Sequence, residues 1–343
     1  MMKVGVFDHL DGAGSPLTEQ YEDRLKLIGL YDQAGFYAYH LAEHHSTPLG
    51  MAPSPNLFLS AAVQRSRRLR LCPLVYPLVL YHPLRLAEEI CMLDHMSGGR
   101  LEFGIGKGAS PYELEIYGAD PREWAPRAHV EALQVLMQAL THDVVDFDGE
   151  IYKFHNAPMV LRPLQRPRPP MWYGASRAEG AAFAAQQGFN IVANAPAERA
   201  RPIYDSYRQA WVDAGRGEAD MPMLGMNRFV VIAETDQAAT AVAARAYRRW
   251  NGNFWQLWDA RGPRPYAYYP DTFEEAETAG FGVAGSPAKV LETLSDQLAR
   301  SGASYLVCRF VFGDLSLAEA TRSVELFARE VLPLLDVSQA AAQ

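Results

Sequence analysis

Cysteine is scarce in this chain: among 343 residues the only ones are Cys72, Cys91 and Cys308. Their number is odd and no two form a Cys-x-x-Cys pair, which argues against a disulfide framework or a cysteine zinc site. Long apolar runs are missing as well. No stretch reaches the roughly 18 uncharged apolar residues of a membrane-spanning helix, so none is expected. The amino terminus, MMKVGVFDHL, is too polar and too short in apolar residues for a secretory leader, and the expected location is cytoplasmic. Positive charge is not in excess. The 32 Lys and Arg against 40 Asp and Glu leave a formal charge of -8, which argues against a generic nucleic-acid backbone binder but leaves room for a local basic pocket around one phosphate. No Gly-x-Gly-x-x-Gly follows the first apolar run, so the fingerprint of a dinucleotide-binding open sheet is lacking. No repeat of solenoid length occurs.

What the chain does have is a rhythm of short β-rich apolar runs separated by longer amphipathic segments, the pattern of parallel βαβ units. Eight strands are predicted, at 3–7, 38–42, 70–75, 101–106, 171–174, 191–193, 226–233 and 304–312. Helices are predicted at 17–34, 82–95, 126–141, 179–187, 288–301 and 317–334. Strict alternation of eight strands with helices closes most naturally into a single (β/α)8 barrel spanning residues 1–343, with an open doubly wound sheet as the alternative. Two stretches break the rhythm. Residues 147–170 are rich in proline and read as a connector with one small hairpin. Residues 251–283, after the seventh strand, carry Phe254, Trp255, Trp258, Tyr266, Tyr268 and Tyr269. They read either as a lid insertion over the barrel mouth or as aromatics packing a helix onto the barrel wall.

In such barrels the chemistry sits at the carboxyl ends of the strands. The first strand ends in Asp8-His9 and the second in Glu43-His44-His45. Side chains alternate along a strand, so only one of the two adjacent histidines can look into the mouth. A histidine there can move protons near neutral pH, and a neighbouring carboxylate would fix its tautomer. The alternatives are a solvated polar loop or a metal pair; no third ligand follows at a usable spacing, so no metal is expected. The fourth strand ends in Gly104-Ile105-Gly106-Lys107-Gly108, where glycines permit close approach and a lysine suits a phosphate, or where a plain glycine turn carries a surface lysine. Ser110-Pro111 opens a helix behind it. The fifth strand ends in Gly174-Ala175-Ser176-Arg177, and the two tips together could clamp one phosphate.

These motifs resemble the bacterial luciferase-like family of flavin-dependent monooxygenases. The resemblance is carried by AEHH at 42–45, by HPLRLAEEICMLDHMSGGRLEFGIGKG at 82–108, by YGASRAEGAAFAAQQGFN at 173–190, and by the tail from GSPAKVLETL to FAREVLP. It implies a TIM barrel with an insertion after strand seven that can act as a lid, and reduced FMN at the mouth. The flavin phosphate would meet Lys107 and the Gly174–Arg177 tip, and its ring would lie against Leu74 and Val75, where the family often has a non-prolyl cis peptide. His44 matches the family's catalytic histidine. Asp8, His9, Glu43, His45, Trp255 and Trp258 are expected around the substrate. The position of a reactive cysteine in luciferase is Gly106 here, which weakens any expectation of light emission. The resemblance implies a separate NAD(P)H-dependent flavin reductase, oxidation of a small apolar or aromatic molecule by O2 through a flavin (hydro)peroxide, and a homodimer formed through apolar faces of 55–64 and 84–96. Hydride transfer with the deazaflavin F420, and a non-catalytic flavin-binding barrel, are the alternatives.

Overall fold

A computed structural model of the chain describes residues 2–108, 110–265 and 269–335. Eight parallel strands form its centre: β1 (Lys3–Asp8), β2 (Ala38–Leu41), β3 (Arg70–Pro73), β4 (Phe103–Gly106), β5 (Met171–Gly174), β6 (Asn190–Ala193), β7 (Leu224–Ile232) and β8 (Tyr305–Arg309). Their spatial order runs β3-β2-β1-β8-β7-β6-β5-β4. The remaining gap is bridged where Leu71 pairs with Leu101 and where Tyr76–Pro77 pairs with Ile105 and Gly106. The sheet therefore closes into the barrel that the alternation predicts, and every predicted strand is present. Tyr266 and Tyr268 lie outside the described residues.

Eleven helices are described: α1 (Leu17–Ala34), α2 (Pro55–Val63), α3 (Pro83–Ser97), α4 (Pro111–Ile116), α5 (Trp124–Thr141), α6 (Ala178–Gln187), α7 (Ala197–Asp213), α8 (Asp236–Arg261), α9 (Phe273–Thr278), α10 (Pro287–Ser301) and α11 (Leu317–Leu326). Their ends follow local chemistry. Proline takes the first turn of α2, α3, α4 and α10, where its missing N–H costs nothing. Gly35 stops α1 with φ +83°, a left-handed conformation that glycine adopts without strain. Ser316 and Glu319 close a reciprocal capping box on α11. The proline-rich connector holds a hairpin, Val144–Asp148 against Lys153–Pro158. No described helix is long and apolar enough to cross a membrane.

The stretch 251–283 has more regular structure than its composition suggests. Residues 251–261 complete α8, in which Trp250, Phe254 and Trp255 are buried. Gly282–Gly285 is a ninth parallel strand, which extends the sheet beside Phe229–Ile232 of β7. It escaped prediction because GVAG is too short and glycine-rich to read as a strand. Of the apolar positions expected at a dimer interface, Leu59, Ala62, Leu86, Ile90 and Leu93 are buried against the core and Leu57 is exposed; Met92 and Met96 of α3 are exposed as well.

The floor of the barrel is packed, so the interior is no pore. Trp172, Tyr305, Phe7, Val307, Cys72 and Leu74 form one interior cluster. Buried Glu102 anchors it, accepting from Trp172 Nε1 at 2.5 Å, Tyr37 Oη at 2.6 Å and Arg70 Nε at 2.5 Å. Burial depresses His40 to about 3, so it stays neutral against Tyr305 Oη at 2.8 Å. Above this floor, polar side chains line the mouth.

Candidate active site

His44 leaves β2 at the mouth and is 7% exposed. Its Nδ1 lies 3.0 Å from Glu113 Oε1, and Glu113 Oε2 accepts the backbone N–H of His45 at 2.9 Å. Glu113 stands in the first turn of α4, whose start is fixed by Ser110, which accepts the N–H of Tyr112 at 3.3 Å. A carboxylate can only accept, so Nδ1 of His44 carries a proton, and in the neutral ring the lone pair is on Nε2. Among the described residues, Nε2 has no hydrogen-bond partner. The orienting carboxylate is thus Glu113, 69 residues away in sequence. A narrow cleft flanks the pair, lined by Thr47, Leu49, Ser110, Leu257 and Trp258 among others. Trp258 therefore stands beside His44, packing on Tyr112 with ring centroids 5.1 Å apart. Trp255 is buried behind it against Phe254 and Arg264.

His9 joins His44 with ring centroids 5.5 Å apart. Its Nδ1 accepts Trp250 Nε1 at 3.3 Å. Burial first, then the charges of Arg309 and His44, holds His9 well below the usual histidine range. It is a neutral ring with its N–H on Nε2.

The structure takes three of the expected pocket residues elsewhere. Asp8 shares the outward side of β1: it accepts from Arg24 Nε at 3.0 Å, Tyr39 Oη at 2.9 Å and the N–H of Leu10 at 2.6 Å. Glu43 and His45 pair with each other at 2.9 Å, and Tyr81 donates to Glu43 at 2.6 Å. They form a buried network flanked by Tyr117. The physical reason is alternation: with His44 pointing in, its two neighbours cannot.

The two glycine-bearing tips are side by side. Ile105 of β4 registers with Tyr173 of β5, which brings Gly106-Lys107 next to Gly174-Ala175-Ser176-Arg177. Ala175 is buried, whereas Lys107, Ser176 and Arg177 are exposed. A methyl group added at Gly174 would meet nothing within 4 Å, while one at Gly106 would come within 2.5 Å of Val75 Cγ2. The Leu74–Val75 peptide bond is cis. Below the tip, burial and then the Lys107 charge push His129 down to about 4.

Two residues of the mouth went unread in the sequence. Arg309 ends β8 and is 3% exposed at the mouth; the signal was a lone arginine closing an otherwise apolar strand. Glu113 offered only an acidic residue in a helix first turn, a common feature.

The chain is a closed parallel barrel with a histidine–carboxylate pair and two adjacent, exposed basic strand tips at its carboxyl mouth, the end where such barrels carry their active sites. Residues 2–305 match the luciferase-like monooxygenase family, and the chain belongs to it: the protein is an enzyme of a flavin-dependent monooxygenase family. It is 45% identical over 316 residues, 92% of each chain, to uncharacterized protein y4wF of Sinorhizobium fredii (strain NBRC 101917 / NGR234). It is 25% identical over 250 residues to the oxygenase component of flavin-dependent trigonelline monooxygenase from Acinetobacter baylyi, covering 71% of this chain and 68% of that one. Among solved structures, monooxygenase RslO1 from Streptomyces bottropensis matches with a TM-score of 0.87 at 26% identity, over 97% of this chain and 99% of the other.

Proposed function

We propose that this protein is the oxygenase component of a two-component system, which takes reduced FMN from a separate NAD(P)H-dependent flavin reductase and oxidises a small, largely apolar or aromatic molecule with O2. The observation that carries the reading is the His44–Glu113 pair at the mouth, beside two basic strand tips. The relative named as a flavin-dependent oxygenase component supports both the flavin and the reductase.

The residues present fit FMN. Gly174 borders open space. Lys107, Ser176 and Arg177 offer exposed donors without a protein partner among the described residues, matched to a phosphate. Leu74 and Val75 present an apolar wall to a flat ring, and Gly104 and Gly106 leave that wall room, since a Cβ at either would overlap Leu74 or Val75 side chains. When bound, the flavin supplies the oxygen-activating chemistry, while the protein contributes orientation, water exclusion and proton control. His44 accepts or returns a proton at Nε2, held to that tautomer by Glu113. Neutral His9 donates from Nε2. Leu257 and Trp258 close the flank of the cleft against water. Exposed Leu57, Met92 and Met96 on α2 and α3 support a homodimer through that face.

Titration with FMN, followed by oxygen uptake with a generic reductase and a screen of ring compounds, tests the reading. Wild type is expected to show substrate-dependent oxygen uptake, and His44→Ala to slow turnover by about 10²–10⁴-fold with FMN binding retained. Near-normal turnover in that variant would reject the role of His44. Activity with reduced F420 and no oxygen uptake would reject the monooxygenase reading.

A further inference from the structure

Arg309 is a buried cation with no counter-ion among the described residues. Residues Tyr305 and Val307 of β8 pack in the barrel interior, and Arg309 shares their side of the strand. Its Nε donates to Asn227 Oδ1 at 3.2 Å and its Nη2 to Tyr269 Oη at 2.7 Å. The guanidinium lies over the rings of Phe7 at 4.8 Å, Phe229 at 4.5 Å, Tyr269 at 5.3 Å and Trp250 at 5.6 Å. Nη1 is buried and has no partner. No carboxylate among the described residues pairs with it.

An arginine taken out of water needs compensation. The aromatic faces provide part of it through cation–π attraction. They leave the net positive charge and one N–H fork unanswered. Arg24 is buried too, but Asp8 neutralises it. Arg228 is buried with no carboxylate, yet it faces outward from β7 and spends Nε and Nη1 on Gln297, the Ala195 carbonyl and the Asn227 carbonyl. Arg24 and Arg228 each leave Nη2 idle as well, but among the described residues Arg309 alone combines burial, an idle donor, no carboxylate partner and an inward position. Next to it His9 is neutral and offers Nε2–H, for which no described residue supplies an acceptor.

We propose that Arg309, assisted by His9, anchors a carboxylate on the substrate, so that the substrate class is a small ring compound bearing an anionic carboxyl group. The aromatic cage fixes the guanidinium, and the guanidinium would set the orientation of the substrate relative to His44. This inference rests on the reading of the mouth as a flavin oxygenase site and narrows its substrate.

Matched pairs of probes, benzoate with benzamide and nicotinate with nicotinamide, are titrated by calorimetry into the FMN-loaded full chain. Wild type is expected to prefer each carboxylate over its amide by about tenfold or more. Arg309→Met should abolish the preference by weakening the carboxylate about 10- to 100-fold and leaving the amide within threefold. Arg309→Lys should keep part of it, because the charge stays while the fork is lost. Thermal unfolding of each variant identifies a folding defect, and the lysine variant then carries the test. Equal binding of carboxylate and amide by wild type, or a preference unchanged in both variants, would overturn the proposal. A drop in FMN affinity in Arg309→Met with no carboxylate preference in wild type would also overturn it, by assigning Arg309 to the flavin. Failure of wild type to bind FMN at all is separate: it would remove the oxygenase reading itself.

Discussion

Replacing Glu113 by glutamine tests the proton-handling argument at its centre. The carboxylate now accepts twice, from His44 Nδ1–H at 3.0 Å and from the His45 N–H at 2.9 Å. An amide of the same shape cannot do both. If its oxygen stays on His44, its NH2 confronts the His45 N–H, donor against donor. If it flips, its NH2 faces Nδ1 and drives the proton to Nε2, which removes the base from the side facing the mouth. In either case the negative charge that faces the imidazolium during proton transfer is gone. Two unit charges about 4 Å apart at an effective dielectric near 20 attract by about 4 kcal/mol, and one charge-assisted hydrogen bond contributes about 1.5–3 kcal/mol. A net loss of about 2–4 kcal/mol corresponds to turnover falling by about 30- to 1000-fold. Nitrogen-15 NMR of histidine-labelled protein reads the tautomer directly and needs no substrate. Wild-type His44 should show protonated Nδ1, and Glu113→Gln should shift that signal toward the Nε2–H form. Oxygen uptake on a substrate found by screening reads the rate. Turnover within threefold of wild type, with an unchanged His44 signal, would refute the assignment of Glu113 as the positioning residue.

Lys107→Ala should weaken FMN binding by about tenfold and reduce its dependence on ionic strength, as fluorescence titration at two salt concentrations would show, because an exposed lysine acts as a screened point charge. Gly313→Ala should cost several kcal/mol in urea unfolding, since Gly313 has φ +59° and a Cβ there would come within 1.9 Å of the Ala246 carbonyl oxygen; an unchanged midpoint would contradict the packing. Acid should destabilise the fold through its buried neutral histidines. His40 is depressed to about 3 and His129 to about 4, both below an unfolded value near 6.5, so the unfolded chain takes up protons first and stability falls with pH below about 6.5. Between pH 7 and pH 5 each accounts for a loss of about 2 kcal/mol. His129→Gln should therefore lessen the pH 7-to-5 drop by about that amount, and an undiminished drop would refute the shift.

The barrel was legible because its information is local. Each strand is a short apolar run, and each helix announces itself by periodicity, an opening proline or a closing glycine; Pro83 and Gly98 bracket α3 in this way. The strand tips were legible for the same reason, since Gly106-Lys107 and Gly174–Arg177 are contiguous in sequence and adjacency of β4 and β5 brings them together. What stayed hidden depends on contacts across long separations. Glu43 adjoins His44 in sequence and seemed its natural partner, yet alternation along the chain sends the two side chains to opposite sides, and the carboxylate that reaches Nδ1 comes from another βα loop. Asp8 was misplaced by the same parity. In 251–283 composition left a lid and a helix packed on the barrel wall as alternatives; residues 251–261 extend α8 and Gly282 begins an added strand that the glycines concealed. Arg309 is the hardest case. Nothing in YLVCR separates an arginine that snorkels to solvent from one sealed among four aromatic rings drawn from β1, β7, α8 and the segment around Tyr269. The energetic consequence of that arginine, a charge without its complement, exists only once the fold has removed the water around it.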